Sequence, residues 1–240
     1  MTTDKTAIRD AATVIVVRDP AENPRILMGQ RGSKAAFMPN KFVFPGGAVD
    51  KGDYEIPLAA PLAAECQNRL LDDLRPETPE GALTALATAA IRELWEETGL
   101  VLGAQGTWPS TPPEDWTGYA ATGHVPSGSD MRFVFRAITP PGRPRRFDAR
   151  FFLINADQIS GDLDDFSRAS DELSHLQWVG LKDARSHDLP FITEVVLAEI
   201  EGLLPDLAAP ASVPFFKNDD EAGWFKRLHG RVPTEADLGG

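Results

Sequence analysis

The spacing of apolar and polar residues divides the chain into short strands and a few helices. Residues 13–18 and 25–31 are rich in β-branched and aliphatic side chains. The turn-forming Asp19-Pro-Ala-Glu-Asn-Pro24 lies between them, so the pair predicts a hairpin or meander. Residues 41–44 are a short strand candidate, stopped by Pro45-Gly46-Gly47. The pattern turns helical over 57–74 and breaks at Arg75-Pro-Glu-Thr-Pro79. It resumes as a second helix from Pro79 or Glu80 to Thr98, where Gly99 supplies a C-terminal stop. Residues 103–128 are dense in Gly, Pro, Thr and Ser and read as a long loop carrying Trp108 and Trp116. Strands are expected over 131–139, 150–155 and 175–179, and a last helix over 189–204. Beyond Pro205, Phe215, Phe216, Trp224 and Phe225 mark a helical or irregular tail that packs in part. Strands and helices alternate irregularly, which predicts an α/β fold with a mixed sheet covered by helices.

Along the second helix, Leu83, Leu86, Ala90 and Leu94 form one apolar stripe at about 100° per residue. Glu93, Glu96 and Glu97 fall within a neighbouring arc of about 100°. Like charges at i,i+3 and i,i+4 repel by about 0.2–0.5 kcal/mol. The negative end of the helix dipole disfavours each acid by about 0.3–1 kcal/mol more. A hard divalent cation, Mg²⁺ or Mn²⁺, would offset that cost, because carboxylate oxygens suit it. Arg92 reaches Glu96 at i,i+4 and helps orient it. The competing reading is a solvated acidic face, which costs little in a chain with 36 acidic residues. Upstream, Phe44-Pro-Gly-Gly-Ala-Val-Asp-Lys-Gly-Asp53 contains a Gly-Gly turn that lets backbone approach a ligand closely.

Together these two elements resemble the Nudix box, a glycine loop followed by a helix with an Arg-Glu…Glu-Glu-x-Gly signature. Gly47 matches its first glycine, and Arg92, Glu93, Glu96, Glu97 and Gly99 its later part, with Leu94 and Leu100 at aliphatic positions. The box departs from the usual pattern in two ways. Asp53 stands where Glu is usual, and 38 residues separate it from Arg92 instead of seven, an insertion of 31. Loop-closure entropy grows slowly with length, so an insertion ahead of the helix is tolerated. The placement resembles the Nudix branch related to peroxisomal coenzyme A diphosphatases. Ile26-Leu-Met-Gly-Gln-Arg31, Phe37-Met-Pro-Asn-Lys-Phe-Val-Phe-Pro-Gly-Gly47, Arg146-Phe-Asp-Ala-Arg-Phe-Phe152 and Glu172 support it.

The resemblance implies a Nudix-type α/β/α sandwich spanning 1–240 as one domain. A helical insertion would occupy about 54–84 and a C-terminal extension about 206–240. It further implies a pyrophosphohydrolase acting on a nucleoside diphosphate linked to another moiety, with coenzyme A or its derivatives as one candidate. ADP-ribose, NADH, another nucleotide, or a non-catalytic nucleotide-binding module are the alternatives. The implied metal site is Glu93, Glu96 and Glu97 with a backbone carbonyl at Gly47. Glu93 or Glu172 would act as base, with Arg92 as a third catalytic residue. Arg31, Phe44 and Arg150 would contact substrate, with Arg146 as a second candidate for the phosphates. Surface or ion-paired roles for these arginines compete with that reading.

Composition bounds the reading further. The net charge is −12, from 24 Lys+Arg against 36 Asp+Glu. Sequence-independent binding to a nucleic-acid backbone is therefore not expected, and a cation is needed to bring in a diphosphate. Cys66 is the sole cysteine, which excludes an intrachain disulfide and a cysteine zinc cluster. The longest apolar run, Val14–Val17, is too short for a membrane span, so a cytoplasmic protein is expected, with homodimerisation left open. His124, His175, His187 and His229 show no metal-ligand spacing.

Overall fold

Val14 and Val16 turn to one face of a central strand, and Ile15 and Val17 to the other, and all four are fully buried. Such a continuous apolar run marks a strand covered on both faces, as parallel sheets require. The computed structural model describes residues 7–33, 35, 38–218 and 222–231; Phe37 of the supporting motifs lies outside them. The elements follow as β1 (Ile8–Arg18), β2 (Arg25–Arg31), β3 (Phe42–Val43), β4 (Gly46–Ala48), α1 (Ala64–Leu70), α2 (Ala82–Thr98), β5 (Val101–Gln105), α3 (Thr117–Ala120), β6 (His124–Pro126), β7 (Arg132–Ile138), β8 (Arg146–Asn155), β9 (Ile159–Ser160), β10 (Leu173–Gly180), α4 (Phe191–Glu201), β11 (Val213–Asn218) and β12 (Gly223–Leu228).

The main sheet runs β10-β2-β1-β8-β7-β11-β12, with β3 beside β2 and β4 beside β1. β1 and β8 are parallel, Ile8 facing Arg146 and Val17 facing Asn155, whereas β1–β2 and β7–β8 are antiparallel. The sheet is mixed, as expected. One face packs with α2 through Leu86, Ala90, Ile91 and Leu94. The other packs with α4 through Val196, Leu197 and Ile200. This is an α/β/α sandwich. Among the described residues no helix is long and apolar enough to cross a membrane.

Three segments differ from the expectation. Within 54–84 the only α-helix ahead of the start of α2 at Ala82 is α1, because Pro57 and Pro61 deny an earlier helix its donors and bias the preceding residues to extended backbone. There Ala59 N–H instead donates to Pro126 O, and Gly128 N–H to Ala60 O. Residues 103–128 are not one loop: β5 and β6 pair across them, and Trp108, Trp116 and Tyr119 pack together beside Trp95 of α2. With the buried Leu62, Cys66 and Leu70 of the insertion, they cover α2 beyond its single apolar stripe. The tail forms no helix where it is described. β11 and β12 make a hairpin, and β11 runs parallel to β7 with Phe215 fully buried. Its aromatics suit a half-buried pleat better than a helix.

β8 starts four residues earlier than the apolar pattern suggests, because Arg146, Asp148 and Arg150 enter the sheet as bonded charges. Arg136 forks onto Asp148 with two bonds of 2.8 Å. Arg75 of the insertion reaches Asp148 at 3.0 Å and Asp10 at 3.0 Å, and Arg150 also donates to Asp10. Burial alone would raise the Asp148 carboxyl, but Arg136, Arg150 and Arg75 hold it below the usual range. The insertion is thus tied to β1, β7 and β8 by paired charge as well as by apolar packing.

Candidate active site

α2 ends where Gly99 adopts φ 76° and its N–H closes on Trp95 O. That left-handed stop places Glu93, Glu96 and Glu97 in the last turns. β4 approaches them from the sheet. Gly46 N–H donates to Glu97 Oε2 at 2.8 Å. A Cβ on Gly47 would stand 2.2 Å from Glu93 Oε1, so only glycine leaves room for that carboxylate. Accordingly, Gly47→Ala is expected to cut turnover about 100-fold, the scale of a 1 Å misplacement. Turnover should be measured beside thermal unfolding; wild-type turnover in a folded variant would remove Gly47 from the site.

Arg92 joins the two halves of the motif across the insertion. Its Nε and Nη2 fork onto Asp53 at 2.9 and 3.1 Å, and Nη2 also donates to Ala48 O at 3.0 Å. Nη1 donates to Glu93 Oε1 at 2.9 Å and to Glu96 Oε2 at 3.2 Å. Asp53 is buried and caps its own short turn by accepting from Asp50 N–H at 2.8 Å. Every nitrogen of Arg92 is thereby engaged in holding the motif together. Asp53, one methylene shorter than Glu, still makes the bidentate fork.

Burial pushes the Glu97 carboxyl up to about 8, with repulsion from Glu93 adding to it and Gly46 N–H and Arg31 opposing. Burial likewise lifts Glu93 to about 7, against the pull of Arg92. Glu96 is raised by burial and half exposed at the rim. Glu172 repels all three. It is delivered by a loop docked on the helix end, where Ser170 N–H donates to Glu96 O at 2.8 Å and Leu173 pairs with Arg31 on β2. Among the described residues no three His, Cys, Asp or Glu side chains form a ready-made metal cluster. The donor set nevertheless fits a hard divalent cation: two buried, mutually repelling carboxylates, two flanking ones, and the backbone of a Gly-Gly strand.

Glu93, Glu172, Gly46 and Gly47 line a cleft of about 1030 Å³, in the range of small-molecule sites. Arg31 and Phe44 line it too. The Nε of Arg31 is buried without a hydrogen-bond partner. Arg150 does not line the cleft: it is buried in the Asp10–Asp148 cluster. Arg146 is likewise buried, donating to Thr139 O and Asn218 O. Polar residues alternating on a strand looked like ligand contacts and are instead internal pairs. The opposite wall comes from the start of α4 and from β11, with Phe191, Ile192 and Phe216, and from the loop holding Arg143 and Arg145. Of that wall the sequence marked only Phe216, one of four tail aromatics for which covering the core, a substrate or a second copy stayed open; the start of α4 and the loop at Arg143 and Arg145 carried no signal.

No family model matches the chain. The chain is 29% identical over 187 residues to a Caenorhabditis elegans protein that carries the name nudix hydrolase 7, covering 73% of this chain and 52% of that one. It is 31% identical over 131 residues to the acyl-coenzyme A diphosphatase NUDT19 of Gallus gallus, covering 42% and 34%. The chain therefore spans about half or less of the curated relatives it matches. The crystal structure of a NUDIX hydrolase from Alicyclobacillus acidocaldarius superposes with a TM-score of 0.59 at 29% identity, over 80% of this chain and 90% of that one.

Proposed function

As the chain belongs to the Nudix hydrolase superfamily, we propose that it hydrolyses the diphosphate linkage of a nucleoside diphosphate joined to a second moiety. Coenzyme A derivatives are the first candidates, given the likeness to the Gallus gallus diphosphatase. The observation that carries the reading is Glu93, set against Gly47 in the lining of a substrate-sized cleft, with Glu97 buried behind it and bonded to Gly46, which also lines the cleft. A fold holds repelling charges in this way when their chemistry is needed.

Glu93, Glu96 and Glu97, with the backbone at Gly47, would hold Mg²⁺ or Mn²⁺. Such an ion supplies neutralisation of phosphate charge and a lowered pKa for bound water. Arg92 keeps Glu93 and Glu96 in register with Asp53 and is a positioning residue. Arg31, half-buried with a spare donor, would bind a phosphate oxygen and orient the phosphorus for attack. In the reaction, water oxygen bonds to phosphorus, the bridging P–O bond breaks, and a phosphomonoester leaves. Glu172, exposed and hydrogen-bonded to nothing among the described residues, is free to take the water proton; Glu93, held by Arg92, is the other candidate base.

A library of nucleoside diphosphate derivatives, incubated with Mg²⁺ or Mn²⁺ and analysed by product chromatography, tests the reading. Release of a nucleoside monophosphate or its derivative is expected. Arg31→Ala should raise the Michaelis constant about tenfold, the loss of one charge-assisted bond. Binding without cleavage of any member would instead make the protein a nucleotide-binding module.

A further inference from the structure

Glu172 is held between two anchors. On one side Ser170 N–H donates to Glu96 O at the end of α2, and on the other Leu173 pairs with Arg31 of β2. Just beyond Leu173 the ladder is interrupted. Ser174 pairs with Gln30 and Gln177 with Met28, so His175 and Leu176 together stand opposite the single residue Gly29. Two residues against one make a β-bulge, a device that re-aims side chains beside active sites. His175 takes a left-handed φ of 52° there. Residues three apart face opposite sides of a regular strand, but the bulge brings both Leu173 and Leu176 over Gly29. Gly29 is buried, and a Cβ on it would stand 2.9 Å from Leu173 Cβ and 2.9 Å from Leu176 Cδ2. Leu176 can yield at its flexible end. Leu173 Cβ moves only with its backbone, and Glu172 is the next residue.

We propose that Gly29 and the bulge opposite it position Glu172, holding its carboxylate at the cleft as the base of the reaction. The carboxylate takes the water proton as the water oxygen bonds to phosphorus and the bridging P–O bond breaks. The proposal rests on the hydrolase reading above and assigns the base within it. Glu93 lines the same cleft but is held by Arg92, whereas Glu172 makes no hydrogen bond among the described residues. Gly29 reaches Glu172 only through Leu173, so it is a positioning residue.

The test is a double-mutant cycle on kcat and KM with Mg²⁺ or Mn²⁺. Its substrate is the library member that the wild type cleaves fastest, with coenzyme A, ADP-ribose and NADH in the library. Glu172→Gln should lower kcat about 10²-fold or more, the scale of a lost general base. Gly29→Ala should lower kcat at least about tenfold and leave KM within about twofold of wild type, the mark of a misplaced catalytic group. In the Glu172→Gln background the same change should cost less than about twofold more, because coupled changes do not add. Equal losses in both backgrounds would make Gly29 merely structural and overturn the proposal. A raised KM with kcat intact would do so too, by moving the strain onto Arg31. If a thermal melt shows Gly29→Ala unfolded, His175→Val takes its place in the cycle with the same expectation. That position is exposed, and a β-branched side chain resists the left-handed backbone. Full kcat in Glu172→Gln would overturn the proposal and leave the hydrolase reading standing with Glu93 as base. No cleavage of any library member would overturn both.

Discussion

Replacing Glu97 by Gln is expected to lower diphosphate turnover about 10²–10³-fold, the cost of losing one preorganised electrostatic contact. The same change should stabilise the protein when divalent ions are chelated. The Glu97 carboxyl titrates at about 8 in the folded chain against 4.5 in its ordinary state. Between those values the folded state binds a proton that the unfolded state has released. Stability of the ion-free protein therefore falls as pH rises from about 4.5 through about 8. Gln carries no such titration, so the variant should lose less between pH 5.5 and 8.5. Glu93, lifted to about 7, leaves some of the slope in place. Thermal unfolding in chelator at both values, read beside kcat, checks the pair of outcomes. Identical pH slopes for wild type and variant would mean that Glu97 is an ordinary solvated acid, and full activity would remove it from the chemistry.

Arg92→Leu should be the most damaging single change to the fold itself. It leaves Asp53, Glu93 and Glu96 without their shared counter-charge, and Asp53 is only 1% exposed. Removing one partner of a buried pair costs about 3–5 kcal/mol. That is roughly a 10 °C fall in Tm for a chain of this size. Lys at the same place should rescue little, since one ammonium cannot serve a carboxylate fork and a backbone carbonyl together. The double change Arg92→Leu with Asp53→Leu should recover part of the loss, because no lone charge is then left inside. A Tm within a degree or two of wild type for Arg92→Leu would show that the ion pairs are screened and unimportant.

The acidic helix end was legible because its signal is local. Glu93, Glu96 and Glu97 sit within five positions, and helix geometry alone brings them to one side. The glycine turn was legible for the same reason. Their meeting was foreshadowed only by Asp53 and Arg92, which the insertion separates in sequence and a bidentate fork reunites in space. What stayed hidden depends on distant partners. Arg150 looked like a ligand contact until Asp10, Asp148 and Arg75 were seen around it. Residues 103–128 looked like loop because their order comes from packing on Trp95 and from short pairings that leave little periodicity. The hairpin β11–β12 gains its place from a parallel neighbour in β7, which no local pattern announces.

The parallel register of β1 with β8 has a consequence for how the molecule is made. During synthesis β1 emerges early, but its partner strand is translated only after more than half of the chain has followed. Until then Val14, Ile15, Val16 and Val17 offer a bare apolar edge, the kind of segment that aggregates from nascent chains. β2 and β4 can zip onto β1 from one side soon after translation, since both lie close by in sequence. The other side has to wait, so maturation is expected to be slow and chaperone-sensitive, paced by the arrival of residues 146–155 rather than by the helix that bears the acids.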